Sequence, residues 1–501
     1  MEFDPAVCYR AVLARDTRYD GRFFTCVKST GIYCRPICPA RPPKLENCTF
    51  VPTAAAAQEA GFRPCLRCRP ESSPDLDAWR GTSATVSRAL KLIESGALDD
   101  ADVASLADRL EIGERHLRRL FRQHVGAAPV TVAQTRRVLL AKQLIHQTDL
   151  SMIQVALASG FGSVRRFNET FQQLYRRPPG ELRRHASSAS QAPEISLLLP
   201  YRPPYDWATM LRFLQARAIA GLEVVTKDSY SRVIELDEVV GSIVVSHVPD
   251  QSALRVVVRF PRLNALSVII ARIRRMFDLS AEPGAIEAVL SSDPILASLV
   301  STRPGLRVPG GWDGFEIAVR AVLGQQITLK AATRLATRIV SAMGTPVADG
   351  LEIAGLTHAF PRPEHFNIDT LARVGMPRSR AATLAGVAAA IGADKRLFDP
   401  RRDLAEAVTR LRDLPGIGEW TAQYIAMRAL GECDAFLAND IAVQRRLASN
   451  GRRPTASELL ARAERWRPWR AYAVLHLWMA DADIPQVSLP KPKETYHALT
   501  A

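Results

Sequence analysis

LPGIGEWTAQYIAMRAL, residues 414–430, decides how the C-terminal half of this chain folds. Pro415, Gly416 and Gly418 stop one helix and make a tight turn, and the run from Trp420 carries the spacing of the next, the form of a helix-hairpin-helix. Amides in such a turn, those at Gly416 and Gly418 included, can approach a phosphate without reading a base, so a binding module without activity would carry the same turn. Asp440 follows twenty residues after Trp420, in CDAFLANDIAVQRRL. Alone, an aspartate there is an ordinary helix cap or surface salt-bridge partner.

Outward from the hairpin, alanine- and leucine-rich amphipathic segments dominate from about 284 onward. Upstream, Pro200 to Pro204 lead into a helix expected around Trp207 to Arg217, then into the alternating runs SRVIEL, GSIVVSHV and LRVVVRF, which predict a small α/β unit. HASSASQAPE, small and polar, predicts a flexible linker. Before it, VASLADRLEIGERHLRRLFRQHVG has two short helices about a turn at Ile112-Gly113, the second bearing Arg115, His116, Arg118, Arg119 and Arg122. A second such unit, MIQVALASGFGSVRRFNETFQQLYRRPPGELRR, turns at Gly160 to Ser163 and presents Arg165, Arg166 and Asn168. Two spaced helices of this kind suit successive major grooves, although an arginine-coated bundle without sequence preference has the same charge pattern.

Seven of the eight cysteines lie within the first 68 residues. Cys34-x3-Cys38 and Cys65-x2-Cys68 are short-spaced pairs, each able to clamp one side of a tetrahedral zinc ion, and Arg35, Arg41, Arg63, Arg67 and Arg69 make their surroundings suit phosphate. Cys8, Cys26 and Cys48 fit neither pair and are expected to pack or stay as free thiols. The 501 residues carry a net charge of +15, which favours a polyanionic partner, and no run is apolar enough to suggest a membrane span. The N-terminal residues do not look like an export signal, so a cytoplasmic, nucleoid-associated protein is expected. The expected fold is multidomain and mainly α with α+β parts: a four-cysteine zinc module at 1–78, tandem helix-turn-helix at 79–186, a linker at 187–199, the small α/β unit at 200–283 and a helix-hairpin-helix domain at 284–495.

Three resemblances add to these readings. FFTCVKSTGIYCRPICPARPPKLENCTF with EAGFRPCLRCRPE resembles the N-terminal domain of the Ada family across nearly all of residues 5–71. The likeness implies that Cys34, bound to one zinc ion with Cys38, Cys65 and Cys68, accepts a methyl group from a methylated DNA phosphate. A four-thiolate site would go from charge −2 to −1, repel the backbone less, and bind DNA more tightly. The two helical units, with their GF…FNETF…P ending, resemble the AraC-type DNA-binding domain, which implies promoter DNA and, when activating, RNA polymerase as partners.

LPGIGEW with Asp440, PPYDWATMLRFLQARAIAGLE, GGWDGFEIAVRAVLGQQIT and AERWRPWRAYAVLHLW resemble the helix-hairpin-helix glycosylases, AlkA above all, over about 200–485. The likeness implies excision of alkylated purines of the 3-methyladenine type, with Asp440 catalytic, Trp420, Tyr424 and Trp478 lining the base pocket, and no cofactor for that half. Strand-cutting relatives carry a lysine where Trp420 stands, so a monofunctional enzyme is expected. Gln326 stands where some AlkA proteins insert an apolar wedge into DNA, and Asn439 where some relatives have a second acid. A PCHR motif is missing from the sequence, so repair of O6-methylguanine is not expected. The chain is expected to be a monomer. The alternative is a transcription factor whose C-terminal domain only holds DNA.

Overall fold

The computed structural model describes residues 4–73, 84–183, 194–347, 353–399, 403–449 and 451–482. The expected boundary near 78 and the chain beyond 482 lie outside them. The zinc module is a four-stranded sheet, β1 Phe24–Val27, β2 Ile32–Cys34, β3 Cys48–Val51 and β4 Arg63–Pro64, in the order β3-β1-β2-β4. Helix Pro5–Ala14 begins at an Asp4 cap with proline in its first turn, and its buried Cys8, Ala11 and Val12 pack on Phe23. Cys26 is buried beside Tyr33 and Phe24, so Cys8 and Cys26 are packing residues, and burial pushes both thiols up, to about 11 and about 12.

Helices Val103–Arg109 and Glu114–His124 form the first helix-turn-helix, and Met152–Ala158 and Val164–Tyr175 the second, with helix Pro129–Gln147 between them. Each second helix buries one narrow stripe, Leu117 and Phe121 in one, Phe167, Phe171 and Tyr175 in the other, and leaves its arginines in solvent. That is what an amphipathic period with apolar residues four apart dictates.

The next unit is a five-stranded antiparallel sheet in the order β5-β9-β8-β7-β6, made of β5 Glu194–Pro200, β6 Glu223–Val225, β7 Ser229–Leu236, β8 Val239–Val248 and β9 Ala253–Arg259. Helices Trp207–Gln215 and Leu266–Met276 belong to the same unit. The expected linker at 187–199 needs correction over its last part. Residues 184–193 lie outside the described ones, but 194–199 belong to β5, paired from Glu194↔Arg259 to Pro200↔Ala253. Ile195, Leu197 and Leu199 bury one face in strict alternation, and this period of two outweighs the small residues before it. β5 is an edge strand, and helix Pro129–Gln147 covers it: Gln143 donates to the Leu198 carbonyl at 2.9 Å and Gln147 accepts from the Leu198 amide at 3.0 Å.

From Pro283 on the described chain is helical, packed around Ile317, Val319, Leu384, Ile425, Trp466 and Val474. Neighbouring units are joined by buried polar contacts. Lys142, fully buried on the long central helix, donates to the Cys65 carbonyl at 2.8 Å and to Glu71 at 2.7 Å, so the helix-turn-helix unit braces the zinc module. Arg202, beside β5, donates to the carbonyls of Arg18 and Asp20 and pairs with Glu282, tying the zinc module to the sheet unit as well. Arg88 pairs with Glu432 and Arg109 with Asp399, fastening the first helix-turn-helix to the helical domain.

Candidate functional site

The four cysteines singled out by spacing converge. The Sγ atoms of Cys34, Cys38, Cys65 and Cys68 all lie within 4.8 Å of one another. Cys34 ends β2, Cys65 follows β4, and the parallel β2–β4 pairing of Tyr33 with Pro64 brings the two pairs to one end of the sheet. Four sulfurs at this separation fit the roughly 2.3 Å bonds of tetrahedral zinc, and with the metal-binding match reported below they make this a zinc site. Arg35, next to Cys34, holds Asp20 through Nε at 2.8 Å and donates to the Cys68 carbonyl at 3.2 Å, so it is committed to the module's interior. Arg41, by contrast, is exposed on the loop beyond Cys38.

Arg115, Arg118, Arg119, Arg165 and Arg166 are all exposed on the second helices of the two helix-turn-helix units. Arg118 and Arg166 line one cleft of about 470 Å³ between the units, while Arg165 is engaged locally with Glu169 at 2.8 Å.

The C-terminal constellation is the tightest. Asp440 caps helix Ile441–Arg446, its Oδ1 accepting from the Ala442 and Val443 amides at 3.0 Å each. Trp478 Nε1 donates to the same oxygen at 3.0 Å, and Trp420 Nε1 donates to Oδ2 at 2.9 Å. Tyr424 lies against Trp420, ring centroids 5.2 Å apart and 15° from parallel, and its centroid is 6.3 Å from that of Trp478. All four residues are half-buried. The hairpin lies alongside. Gly416 sits at φ +84, where a Cβ would meet Thr383 Oγ1 at 2.2 Å, so only glycine fits; Gly418 caps helix Glu419–Ile425. Gln325 donates to the Gly416 carbonyl and to Thr421 Oγ1, both at 3.0 Å, and its own carbonyl accepts from Arg380 at 2.7 Å. These bonds hold the neighbouring Gln326 exposed at φ +58, in the left-handed region.

Sequence reasoning missed Phe213, Arg217 and Arg428. Arg428 donates to the Tyr424 hydroxyl at 2.6 Å, and the guanidinium carbons of Arg217 and Arg428 lie 3.7 and 4.9 Å from the Phe213 ring centroid. Burial alone would raise the Tyr424 phenol, but Arg428 and Arg217 hold it below the ordinary tyrosine value. The available signal was the four-residue spacing of Trp420, Tyr424 and Arg428 and of Phe213 and Arg217. A separate cleft of about 1060 Å³ lies between helix Ala84–Glu94 and the helical domain, lined by Lys91, Asp278 and Tyr472 and by none of the aromatic cage.

Three family models match the chain: the metal binding domain of Ada over residues 7–71, a helix-turn-helix domain over 106–185 and the AlkA N-terminal domain over 196–313. A probable bifunctional transcriptional activator/DNA repair enzyme AlkA of Mycobacterium tuberculosis is 40% identical over 476 residues, 94% of this chain and 95% of that one. The chain belongs to that family. DNA-3-methyladenine glycosylase 2 of Escherichia coli is 34% identical over 289 residues, covering 56% of this chain and 96% of its own. In fold, the 3-methyladenine DNA glycosylase of Archaeoglobus fulgidus superposes with a TM-score of 0.51 at 24% identity, over 58% of this chain and 99% of that one. The order of units along the chain is therefore that of an Ada-type front joined to a glycosylase fold.

Proposed function

We propose that this chain both senses and repairs alkylated DNA, excising alkylated purines at Asp440 and capturing a methyl group from a DNA methylphosphotriester on Cys34. The observation that carries the enzymatic half is the carboxylate of Asp440 set between the indole N–H groups of Trp420 and Trp478. Alkylation at a purine ring nitrogen makes the base cationic and a good leaving group. The C1′–N bond then breaks with its electron pair going to the base, which departs neutral, and positive charge appears on the sugar. Asp440 stabilises that charge and orients or deprotonates the water that adds to C1′. Trp420, Tyr424 and Trp478 offer ring faces to the everted base. Trp420 cannot form a Schiff base, so the product is an abasic site and the enzyme monofunctional, with no cofactor in this half. The Gly416 and Gly418 amides hold the DNA backbone, and Gln326 fills the gap left in the stack.

At the other end, a single bound zinc ion would keep the sulfurs of Cys34, Cys38, Cys65 and Cys68 as thiolates at neutral pH. Sulfur of Cys34 attacks the methyl carbon: an S–C bond forms, the methyl C–O bond breaks, and the electron pair leaves on the phosphate as a restored diester. The acceptor is consumed in one turnover. The site then carries one negative charge fewer, and Arg41 with Arg115, Arg118, Arg119, Arg165 and Arg166 binds promoter DNA more firmly, where the monomeric chain engages RNA polymerase.

The test is a single-turnover assay on DNA carrying 3-methyladenine or 7-methylguanine. Wild type releases the base, and Asp440→Asn is slowed by about 10²–10⁴-fold. Lack of release by wild type leaves a transcription factor that merely holds DNA. Mass spectrometry after exposure to methylphosphotriester DNA gives a methyl on Cys34; an unmodified Cys34 with zinc bound reduces that site to a structural one.

A further inference from the structure

Arg217 and Arg428 adjoin the aromatic cage, and among the described residues no carboxylate pairs with either. Nε of Arg428 donates to the Pro309 carbonyl, Nη2 to the Gly310 carbonyl at 3.2 Å and Nη1 to the Tyr424 hydroxyl at 2.6 Å. Arg217 donates to the Phe213 carbonyl at 3.3 Å and also approaches the Tyr424 hydroxyl. Among the described residues neither arginine has an ion-pair partner, whereas nearby Arg232 and Arg320 both reach Glu316 at 2.7 Å. Both guanidiniums lie over the one Phe213 ring, and Arg428 is 4% exposed. Arg428 is buried and Arg217 half-buried, and two like charges held against one ring without an acid beside them are costly, which calls for a reason beyond packing. Arg428 also lies in a π turn, Ala426–Leu430, a rare geometry concentrated at functional sites.

The charges are linked by a chain of contacts. The two guanidiniums meet Tyr424 at its hydroxyl, the Tyr424 ring lies beside those of Trp420 and Trp478, and the indole N–H groups of both tryptophans donate to the Asp440 carboxylate. We propose that Arg217 and Arg428 are the positive end, and Asp440 the negative end, of a fixed field that drives charge from the lesion base to the sugar during excision. This rests on the glycosylase reading of the site. In the bound lesion the ring carries one positive charge; as the C1′–N bond breaks, its electron pair moves onto the base and the charge passes to C1′. A field in this direction disfavours the ground state, with its charge on the base, and favours the transition state, with its charge near Asp440. Arg217 and Arg428 are positioning residues acting through Tyr424, since neither has to touch the base.

The test separates binding from chemistry. Full-length wild type, Arg217→Met, Arg217→Lys and Arg428→Lys are compared on 7-methylguanine DNA for maximal single-turnover rate and for half-saturating enzyme concentration. Removing the charge in Arg217→Met lowers the maximal rate by about 10-fold while lesion DNA binds as tightly or more tightly, the pattern of a lost transition-state interaction. Arg217→Lys and Arg428→Lys keep a positive charge and stay within about 3-fold of the wild-type rate. Circular dichroism and melting temperature confirm folding; if Arg217→Met is unfolded, Arg217→Gln takes its place. Rate and affinity falling together, or neither changing, overturns the proposal. So does a lysine variant as slow as the methionine one. A wild type that releases no base overturns the glycosylase reading and this one with it, whereas an active wild type whose variants fail the split overturns this one alone.

Discussion

At the zinc module four sulfurs crowd within 4.8 Å, backed by Arg35 and Lys142, each of which is itself tied to an acid. At the other end of the chain one carboxylate, Asp440, takes four neutral N–H donors: two amides and two indoles. In the proposed function both centres would set negative charge against an alkylated target, but what they would do with it differs. Sulfur is polarisable and keeps a lone pair to form a bond, so under that proposal its centre would act once and be spent. A carboxylate whose oxygens are occupied by donors is a poor nucleophile, so under that proposal it would act by stabilising charge and handling the water, and survive each turnover. Whether such an anion is a consumed reagent or a catalyst is set by how fully its lone pairs are engaged.

The sharpest way to break this comparison is Cys34→Ser. The hydroxyl keeps the shape but not the thiolate, so methyl capture should vanish altogether by mass spectrometry while base excision by the same preparation stays at the wild-type rate. A methyl recovered on Cys38, Cys65 or Cys68 would show that the sulfurs are interchangeable.

Lys142→Met comes next in size. Glu71, with a side chain only 3% exposed, would be left buried without its partner, which costs about 3–5 kcal/mol of stability in denaturant unfolding. The loss should fall on the zinc-module end, seen as faster zinc release to a chelator, with Asp440 chemistry unchanged at temperatures where the protein is folded. Lys142→Met with Glu71→Gln should regain a large part of the loss, because two uncharged groups replace one orphaned charge. An equal loss in single and double variants would mean that the lysine stem rather than its charge braces the module.

Much of both centres was legible in the sequence. The two cysteine pairs are legible in their short spacings, whereas the set of Trp420, Tyr424, Trp478 and Asp440 is legible only through the resemblance to the helix-hairpin-helix glycosylases. What was not legible depends on partners far apart in the chain. β5 was expected to be linker up to 199, since its pairing partner β9 lies some sixty residues downstream and its neighbouring sequence is small and polar. The Arg202 contacts to Arg18 and Asp20 have no local period to reveal them. Arg217 and Arg428 look like solvated charges in sequence: the four-residue spacing puts Arg428 beside Tyr424, but only packing brings Arg217 to the same tyrosine.

Acid sharpens the comparison further. His476 is 4% exposed on the helix that carries Trp478, and burial, reinforced by Arg303, lowers its imidazole to about 4. The folded state therefore resists a proton that the unfolded chain takes up near pH 6.5. Stability is intact above that pH and falls as pH drops from 6.5 towards 4, by about 2 kcal/mol at pH 5. His476→Phe, which cannot take the proton, should show a flatter loss of melting temperature between pH 7 and pH 5. Parallel curves for the two proteins would rule His476 out as the group responsible.

The smallest effect expected is at Gln326. Its backbone is held at φ +58 by the bonds that fix Gln325 against Gly416, Thr421 and Arg380, so the exposed side chain is presented at some conformational expense. Gln326→Gly relieves the left-handed strain but frees the unfolded chain, and the two effects partly cancel, leaving a gain in stability of about 1 kcal/mol or less. Excision should move the opposite way. Without a side chain to fill the stack, an everted purine returns more readily, and the rate on fully paired lesion DNA should fall several-fold, while a lesion opposite a missing base, which needs no such filler, should be processed at the wild-type rate. Equal slowing on both substrates would place Gln326 in backbone binding, and the exposed tip would then hold DNA rather than keep the base turned towards Asp440.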